Sequence, residues 1–509
     1  MSTARTWSVA LTGADGHVVE VEADLSSQTP EFRIIGLPDK SLGEAVQRVH
    51  NACTNAGLPL PRRRLTVNLS PASLPKHGSA FDLAIAVSAL AASDVIARGA
   101  VRQTVHLGEL GLDGRLRPVP GVLPAVFAAA RARFDRVIVP AGNATEAALV
   151  PGIEVRAASS LAEVAAWHGA EVDVPEVEPV AGPTAPEDDP DERDLSDVVG
   201  QEEAVEALIV AAAGGHHMLL SGPPGAGKTM LAARLPGIMP PLTEQEAIEV
   251  ASMRSLCGEA VSGLGDRPPL VTPHHSASVA AIVGGGSRTA RPGAVARAHR
   301  GVLFLDEAAE FSRVALDALR QPLETGFVDV HRSGFVVRFP ARFQLLLAMN
   351  PCPCGNRGVR DGDCSCAPQA LRRYATRLSG PLRDRIDIDL PVSRVGAARS
   401  LAATQSGVTS ELARERVSRA RSRAAERWRG MPWRRNADIP GTVLRHSTFR
   451  LSAPARAGLD RALERGVLTL RGYDRVLRVA WTMADLAGRA RPEAEDVGRA
   501  LLLRTGVVR

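Results

Sequence analysis

At 509 residues, with 45% apolar side chains, the chain is too long for one ordinary core and is expected to divide into about three domains. It has no run of about eighteen apolar residues, and its N-terminus lacks an apolar stretch with a cleavage site. The sequence therefore predicts no membrane span, no secretory signal and a cytoplasmic location. The formal charge of +5 is weak for this length and is arginine's, since lysine occurs only at 40, 76 and 228; it permits a nucleic-acid partner without requiring one.

Residues 1–172 read as an α+β domain. Segments 7–11 and 17–21 alternate around an Ala-Asp-Gly turn, as a hairpin does. A strand at 32–35 runs into a Gly-Leu-Pro-Asp turn. Ser41 is positioned to cap a helix reaching about Gly57, with Glu44 at the capping-box position and Val46, Val49 and Cys53 on its apolar face. A strand at 63–71, an apolar helix at 81–92 and an extended stretch at 104–114 follow. Residues 173–193, rich in proline and carboxylates and without apolar period, predict an extended linker between domains free to move relative to each other.

Residues 194–395 carry the chemistry. A helix is expected over 202–213. His216 and His217 then lead into a short apolar strand, read as loop residues close to an adenine. Next comes Gly222-Pro223-Pro224-Gly225-Ala226-Gly227-Lys228-Thr229, a complete GxxxxGK[ST] phosphate loop. Its glycines free backbone N–H groups for phosphates, Lys228 supplies a cation and the Thr229 hydroxyl suits Mg²⁺. About eighty residues on, four apolar residues end in Asp306 and Glu307: one carboxylate for the Mg²⁺ shell and one to polarise an attacking water. Together they predict an ATPase.

Between these motifs, residues 267–293 hold His274, His275, Gly284–Gly286, Arg288 and Arg291. They predict a polar, mobile loop outside the core, lining a channel, lying between subunits or simply on the surface. A helix is expected over 311–324, then a hairpin over 326–339 with His331 and Arg332 at a tip able to touch nucleic-acid phosphates. An apolar strand at 343–348 leads to Asn350. Cys352, Cys354, Cys364 and Cys366 follow as C-x-C…C-x-C. The pattern points to structural Zn²⁺, with free or redox-active thiols and disulfides as the alternatives. Residues 396–509 read as a helical lid with helices at 412–427, 451–463 and 470–486. The first has little apolar face, and its basic side is expected to be solvated or to face DNA weakly.

Two resemblances add to this reading. Residues 75–80, 108–114, 117–121 and 138–140, with Asn143, resemble the ribosomal-S5-like domain of Lon-type proteases. The resemblance puts Ala80 at the protease's serine position and Leu123 at its lysine position. It therefore implies a proteolytically inactive domain that packs on the motor, assembles a ring or touches DNA; Ser79 and Lys76 are displaced and do not substitute. Residues 195–201, 222–229 and 302–307 resemble AAA+ ATPases. Residues 267–278 and 283–286 narrow this to the magnesium-chelatase-like group that contains YifB and ComM, across about 7–500.

That resemblance implies an α/β fold: the S5/Lon-like domain, a P-loop core and a helical lid. It implies Asn350 as first sensor, Arg385 rather than Arg383 as an arginine finger, and Arg471 as second sensor toward the nucleotide. It also implies an ATP-dependent homo-hexamer acting as a branch-migration helicase on branched or single-stranded DNA in natural transformation or recombination. The alternatives are a magnesium-chelatase-like metal-insertion motor and an ATP-timed remodeler or regulatory binding protein.

Overall fold

The computed structural model describes residues 2–36, 43–184, 193–286, 290–332, 335–358, 363–395, 407–446 and 448–506. The expected Ser41 cap and Arg288 lie outside these residues, as do Ser333, Gly334 and the side chain of Arg332 at the hairpin tip.

The N-terminal domain is built on β1 (Ser2–Thr12), β2 (Asp15–Ser26), β3 (Glu31–Ile35), β4 (Arg64–Ser70), β5 (Thr104–His106), β8 (Arg136–Pro140) and β9 (Glu154–Ala158), with a small ribbon of β6 (Glu109–Leu110) and β7 (Leu116–Arg117). The main sheet runs β3-β4-β2-β1-β5-β8-β9. β1 and β2 form the expected hairpin, paired from Ser2↔Leu25 to Thr12↔Asp15. The helix Asp82–Ala92 is apolar all round and buried along its whole length, as such a helix must be. Cys53 is fully buried on the helix Ala45–Asn55, and burial pushes its thiol up to about 12, so it is a core residue.

The central domain holds a five-stranded sheet, β11-β12-β15-β10-β16: β10 (Met218–Ser221), β11 (Leu270–Val271), β12 (Val302–Leu305), β15 (Gln344–Met349) and β16 (Ile388–Pro391). Every pairing in it is parallel. Helices cover both faces, so β12 and β15 are continuous apolar runs rather than alternating ones. The antiparallel hairpin β13 (Phe327–Arg332) and β14 (Phe335–Pro340) stands apart from this sheet. The expected single helix at 311–324 is two short ones, Arg313–Ala318 and Arg320–Thr325.

The lid helices Ser410–Arg427, Ala453–Glu464, Leu470–Leu486 and Ala494–Thr505 share one apolar core with the central domain. The first corrects the sequence reading. Ala413, Val417, Ala420 and Ala424 make a narrow buried stripe, flanked by arginines that bind protein, while Arg414, Arg419 and Arg423 stay exposed. Arg416 pairs with Glu206 at 2.8 Å, and Arg421 Nη2 donates to the Ala212 carbonyl at 2.6 Å. Small alanines hide an apolar face that composition alone does not reveal.

The N-terminal domain is also fixed to the motor, not only tethered to it. Ser255, on the motor helix Glu244–Leu256, donates to Glu146 at 2.6 Å and accepts from the Leu123 backbone N–H at 3.3 Å; its carbonyl accepts from Gly121 N–H at 3.0 Å. Ala251 and Val261 join the apolar cluster of Val119, Val122 and Leu123. The position expected for a protease lysine is thus sealed in a docking surface. Lys76 is fully buried, its ammonium donating to the carbonyls of Gly36, Leu69 and Pro71, and Ser79 bonds Glu109 instead, so these two residues form no dyad. Among the described residues no helix is long and apolar enough to cross a membrane.

Candidate functional site

The site forms at the C-terminal edge of the parallel sheet, where such folds bind ligands. β10 delivers the chain into Gly222, where a Cβ would stand 2.1 Å from the Val392 carbonyl oxygen, so no larger residue fits. Gly225 and Gly227 have φ of 76° and 82°, turning the loop through conformations that glycine adopts without strain. Arg394 Nε fastens the Pro224 carbonyl at 2.8 Å, and Gln201 Nε2 the Ala226 carbonyl at 2.7 Å. The helix Lys228–Ile238 then starts directly from the loop, with unpaired N–H groups and the positive end of its dipole toward any bound phosphate.

Lys228 is buried. Its ammonium donates to the carbonyls of Gly222 (2.6 Å) and Pro223 (3.0 Å) and to Asn350 Oδ1 (3.1 Å). Burial lowers its pKa, and the nearby Asp306 and Glu307 pull it back up. Thr229 Oγ1 donates to Asp306 Oδ2 at 2.7 Å. Two hard oxygen donors side by side next to a phosphate loop are the donor set that fits Mg²⁺. Asp306 Oδ1 also accepts the Glu307 backbone N–H at 2.9 Å. Glu307 sits at φ 50°, in the left-handed region uncommon for a residue with a side chain. Its carboxylate is half exposed, with Oε2 3.4 Å from His275 Nδ1. Phosphate loop, Asp306, Glu307 and Asn350 therefore converge as the sequence suggested; the approach of His275 was not visible in it.

The four cysteines also converge. Cys352 Sγ lies 3.3 Å from Cys354 Sγ and 3.7 Å from Cys364 Sγ, Cys354 and Cys364 are 3.7 Å apart, and all four sulfurs lie within 4.8 Å of one another. None is in a disulfide. This loop lies on the phosphate loop: a Cβ at Gly355 would come within 2.5 Å of Pro224 Cδ.

Arg385 and Arg471 do not join this group. β16 runs parallel to β10, so Arg385, before Ile388, lies at the opposite edge of the sheet, where the His217 carbonyl accepts the backbone N–H of Asp387 at 2.9 Å. Arg385 pairs with Glu324 and donates to the Pro381 carbonyl at 2.5 Å. Arg471, 75% exposed, stands 3.4 Å from Asp384. Both line a cleft of about 1300 Å³ that includes no residue of the phosphate loop. Arg383 faces Asp389 at 3.1 Å.

The paired histidines lie at the same far edge, which corrects the adenine reading. His216 is fully buried, with Nδ1 3.1 Å from Asp387 and Nε2 2.8 Å from Thr482 of the lid. His217 Nδ1 accepts the Leu345 N–H at 3.0 Å, and burial pushes its pKa down to about 4. They fasten strand bases to the lid. Trp428 is buried with its Nε1 donating to Asn436.

Three family models match: "Magnesium chelatase, subunit ChlI" over 194–400, "Subunit ChlI of Mg-chelatase" over 21–143, and the ChlI C-terminal model over 407–504. The competence protein ComM of Haemophilus influenzae is 40% identical over 490 residues, covering 96% of this chain and 94% of that protein. The chain belongs to the YifB/ComM family of magnesium-chelatase-like AAA+ ATPases. YifB of Escherichia coli is 37% identical over 487 residues, at 96% and 94% coverage. An uncharacterised protein of Mycobacterium tuberculosis is 50% identical over 509 residues, at 99% of each chain. The magnesium-chelatase 38 kDa subunit of Cereibacter sphaeroides is 28% identical over 215 residues, covering 39% of this chain and 61% of that subunit. As a member of this family the protein is an ATP-binding and ATP-hydrolysing enzyme that uses Mg²⁺.

Proposed function

We propose that this YifB/ComM ATPase is a ring motor, a homo-hexamer in the presence of ATP, that acts on branched or single-stranded DNA as a branch-migration helicase in natural transformation or recombination. The observation that carries the ring is the separation of Arg385 from its own phosphate loop. β16 alone spans about 10 Å at the usual strand rise. A guanidinium at the far edge of the sheet can serve only a neighbouring protomer's nucleotide, and the exposed Arg471 beside it can act with it.

In this reading Lys228 grips the outer phosphates, exchanging its backbone carbonyl partners for them. Thr229 and Asp306 hold Mg²⁺, which supplies charge neutralisation when bound. Glu307 accepts the hydrogen bond of the attacking water, and Asn350, released from Lys228, orients that water. The arginine from the neighbour meets charge developing on the transferred phosphoryl group. The hairpin β13–β14, just before the sensor strand, supports a DNA track along the ring channel. So does full-length similarity to a relative named a competence protein.

We also propose that the four cysteines hold one structural Zn²⁺. Tetrahedral ligation at about 2.3 Å puts sulfurs about 3.8 Å apart, close to the separations of 3.3–3.7 Å here and far from a disulfide. Such an ion would brace the loop that backs Pro224 and follows Asn350.

The second reading, a chelatase-like metal-insertion motor or an ATP-timed remodeler, is favoured by the family models, all of which describe the chelatase subunit. Branch migration of a synthetic four-way junction separates the two. ATP-dependent strand exchange supports the helicase. Its absence, with DNA never altering hydrolysis across salt and nucleotide conditions, leaves the motor and removes DNA as its track.

A further inference from the structure

We propose that Gly13 and Ala14, the turn between β1 and β2, are positioning residues that brace the hairpin β13–β14, so that the N-terminal domain serves the motor as the backstop of its hairpin. A two-stranded hairpin alone is marginally stable in water. Among the described residues this one pairs with no other strand, so its position depends on what packs against it. Its buried side carries Val328 and Val330 on β13 and Val337 and Phe339 on β14, with Val328 opposite Phe339 and Val330 opposite Val337. Within the motor, Ile282 joins this cluster. From the N-terminal domain, Ala14 packs against the same cluster.

Gly13 completes the contact. It is buried at φ 67°, and a Cβ there would stand 2.1 Å from the Arg338 carbonyl oxygen and 3.4 Å from Val337 Cγ1. Backbone lies directly on backbone, so only a residue without a side chain fits. The Arg338 guanidinium is held on β13, by two bonds to Asp329 at 2.7 and 2.9 Å and over the Phe327 ring at 3.8 Å, so the two strands move as a unit. Two residues before Gly13, Leu11 reaches the other anchor. A Cβ at Gly121 would lie 2.4 Å from Leu11 Cδ1 and 3.2 Å from Leu256 Cδ2. The end of β1 therefore meets the hairpin directly and the motor helix Glu244–Leu256 through Gly121, and its ladder with β2 ties it into the seven-stranded sheet. Without the brace the hairpin pivots on Ile282, while the phosphate loop, Asp306 and Glu307 are untouched. The brace rests on these contacts alone; its service to DNA handling rests on the ring-motor reading.

The test is hydrogen exchange in the full-length protein, read beside ATP hydrolysis with and without a forked DNA oligonucleotide. Gly13→Asn keeps a residue that tolerates the left-handed turn but sets a Cβ against Arg338. Ala14→Glu keeps Gly13 and sets a charge against the apolar cluster. In both, exchange across residues 327–340 is expected to quicken by about tenfold or more, with Arg64–Ser70, Val302–Leu305 and Gln344–Met349 as protected as in the wild type. Basal kcat and KM for ATP are expected to stay within about twofold, and stimulation by DNA to fall toward unity. A hairpin that exchanges as in the wild type in both variants, whether or not the N-terminal domain loosens, overturns the brace. Faster hairpin exchange with undiminished DNA stimulation overturns its part in the motor. If DNA fails to stimulate the wild-type protein, the ring-motor reading falls, while the exchange comparison still decides the brace.

Discussion

Lys228 and Arg385 stand at opposite edges of one parallel sheet: Lys228 begins the helix after β10, and Arg385 precedes β16, which pairs with β10 in parallel from Met218↔Ile388 to Ser221↔Pro391. In the proposed ring, one chain supplies half of two different sites. Arg385→Ala is expected to keep ATP affinity and lose about a thousandfold or more in hydrolysis, the scale of an arginine supplied in trans. Mixing Arg385→Ala with Glu307→Gln subunits then regenerates interfaces with both sides intact, and partial activity returns. Nucleotide binding followed beside single-turnover hydrolysis reads both effects; near-normal hydrolysis in assembled Arg385→Ala rings would remove Arg385 from the site.

Lys228 and Glu307 are expected to separate binding from chemistry. Lys228→Ala removes the cation that meets the phosphates, so tight ATP binding disappears. Glu307→Gln keeps the shape but not the base, so ATP still binds and hydrolysis falls by about a hundredfold or more. Fluorescent-nucleotide titration and phosphate release distinguish the two. Wild-type affinity in Lys228→Ala, or a normal rate in Glu307→Gln, would contradict these assignments.

The sequence exposed the phosphate loop, Asp306, Glu307 and the four cysteines because each is local chemistry at fixed spacing. It did not expose relations that depend on the sheet. His216 reads as a loop residue until β16 and Leu470–Leu486 bring Asp387 and Thr482 onto its ring. The helix Ser410–Arg427 reads as having little apolar face because its buried stripe is mostly alanine. Residues 267–293 read as mobile because three glycines and two histidines outweigh Ile282, whose burial depends on Val328 and Val330 some fifty residues later. The linker reads as a hinge because nothing local announces Ser255 as a docking partner for Glu146 and Leu123.

The thiol loop is expected to carry about one Zn²⁺ per chain when the protein is purified under reducing conditions. Elemental analysis gives the content directly. Because Gly355 packs on Pro224, Cys364→Ser is expected to lose the metal and lower ATPase activity together, through a loosened phosphate loop. Metal far below one equivalent without chelator exposure, with nearly silent Cys→Ser changes, would leave four reduced thiols and no clamp.

Asp387 ties the far edge of the sheet to the lid, and its charge is expected to make that junction acid-sensitive. It is fully buried, 2.8 Å from Arg475 and 3.1 Å from His216, which in turn meets Thr482. Burial opposes its ionisation, but Arg475, His216 and Arg478 outweigh that and hold it well below the usual carboxylate range. An aspartate in an unfolded chain titrates near pH ~3.9. Below that pH the unfolded state takes up the proton first. The stabilisation is therefore complete above about pH 4–5 and is lost progressively as the pH falls toward the folded-state value. Asp387→Asn removes the charge and leaves Arg475 without its ion-pair partner, at a cost of about 3–5 kcal/mol near neutrality. Urea unfolding followed by intrinsic fluorescence, to which the nearby Trp428 and Trp481 contribute, measures this between pH 3 and 7. The gap between wild type and variant is expected to narrow as the pH falls below about 4. A gap of equal size at pH 3 and pH 7 would mean that Asp387 contributes packing and hydrogen bonds but no charge-dependent stability.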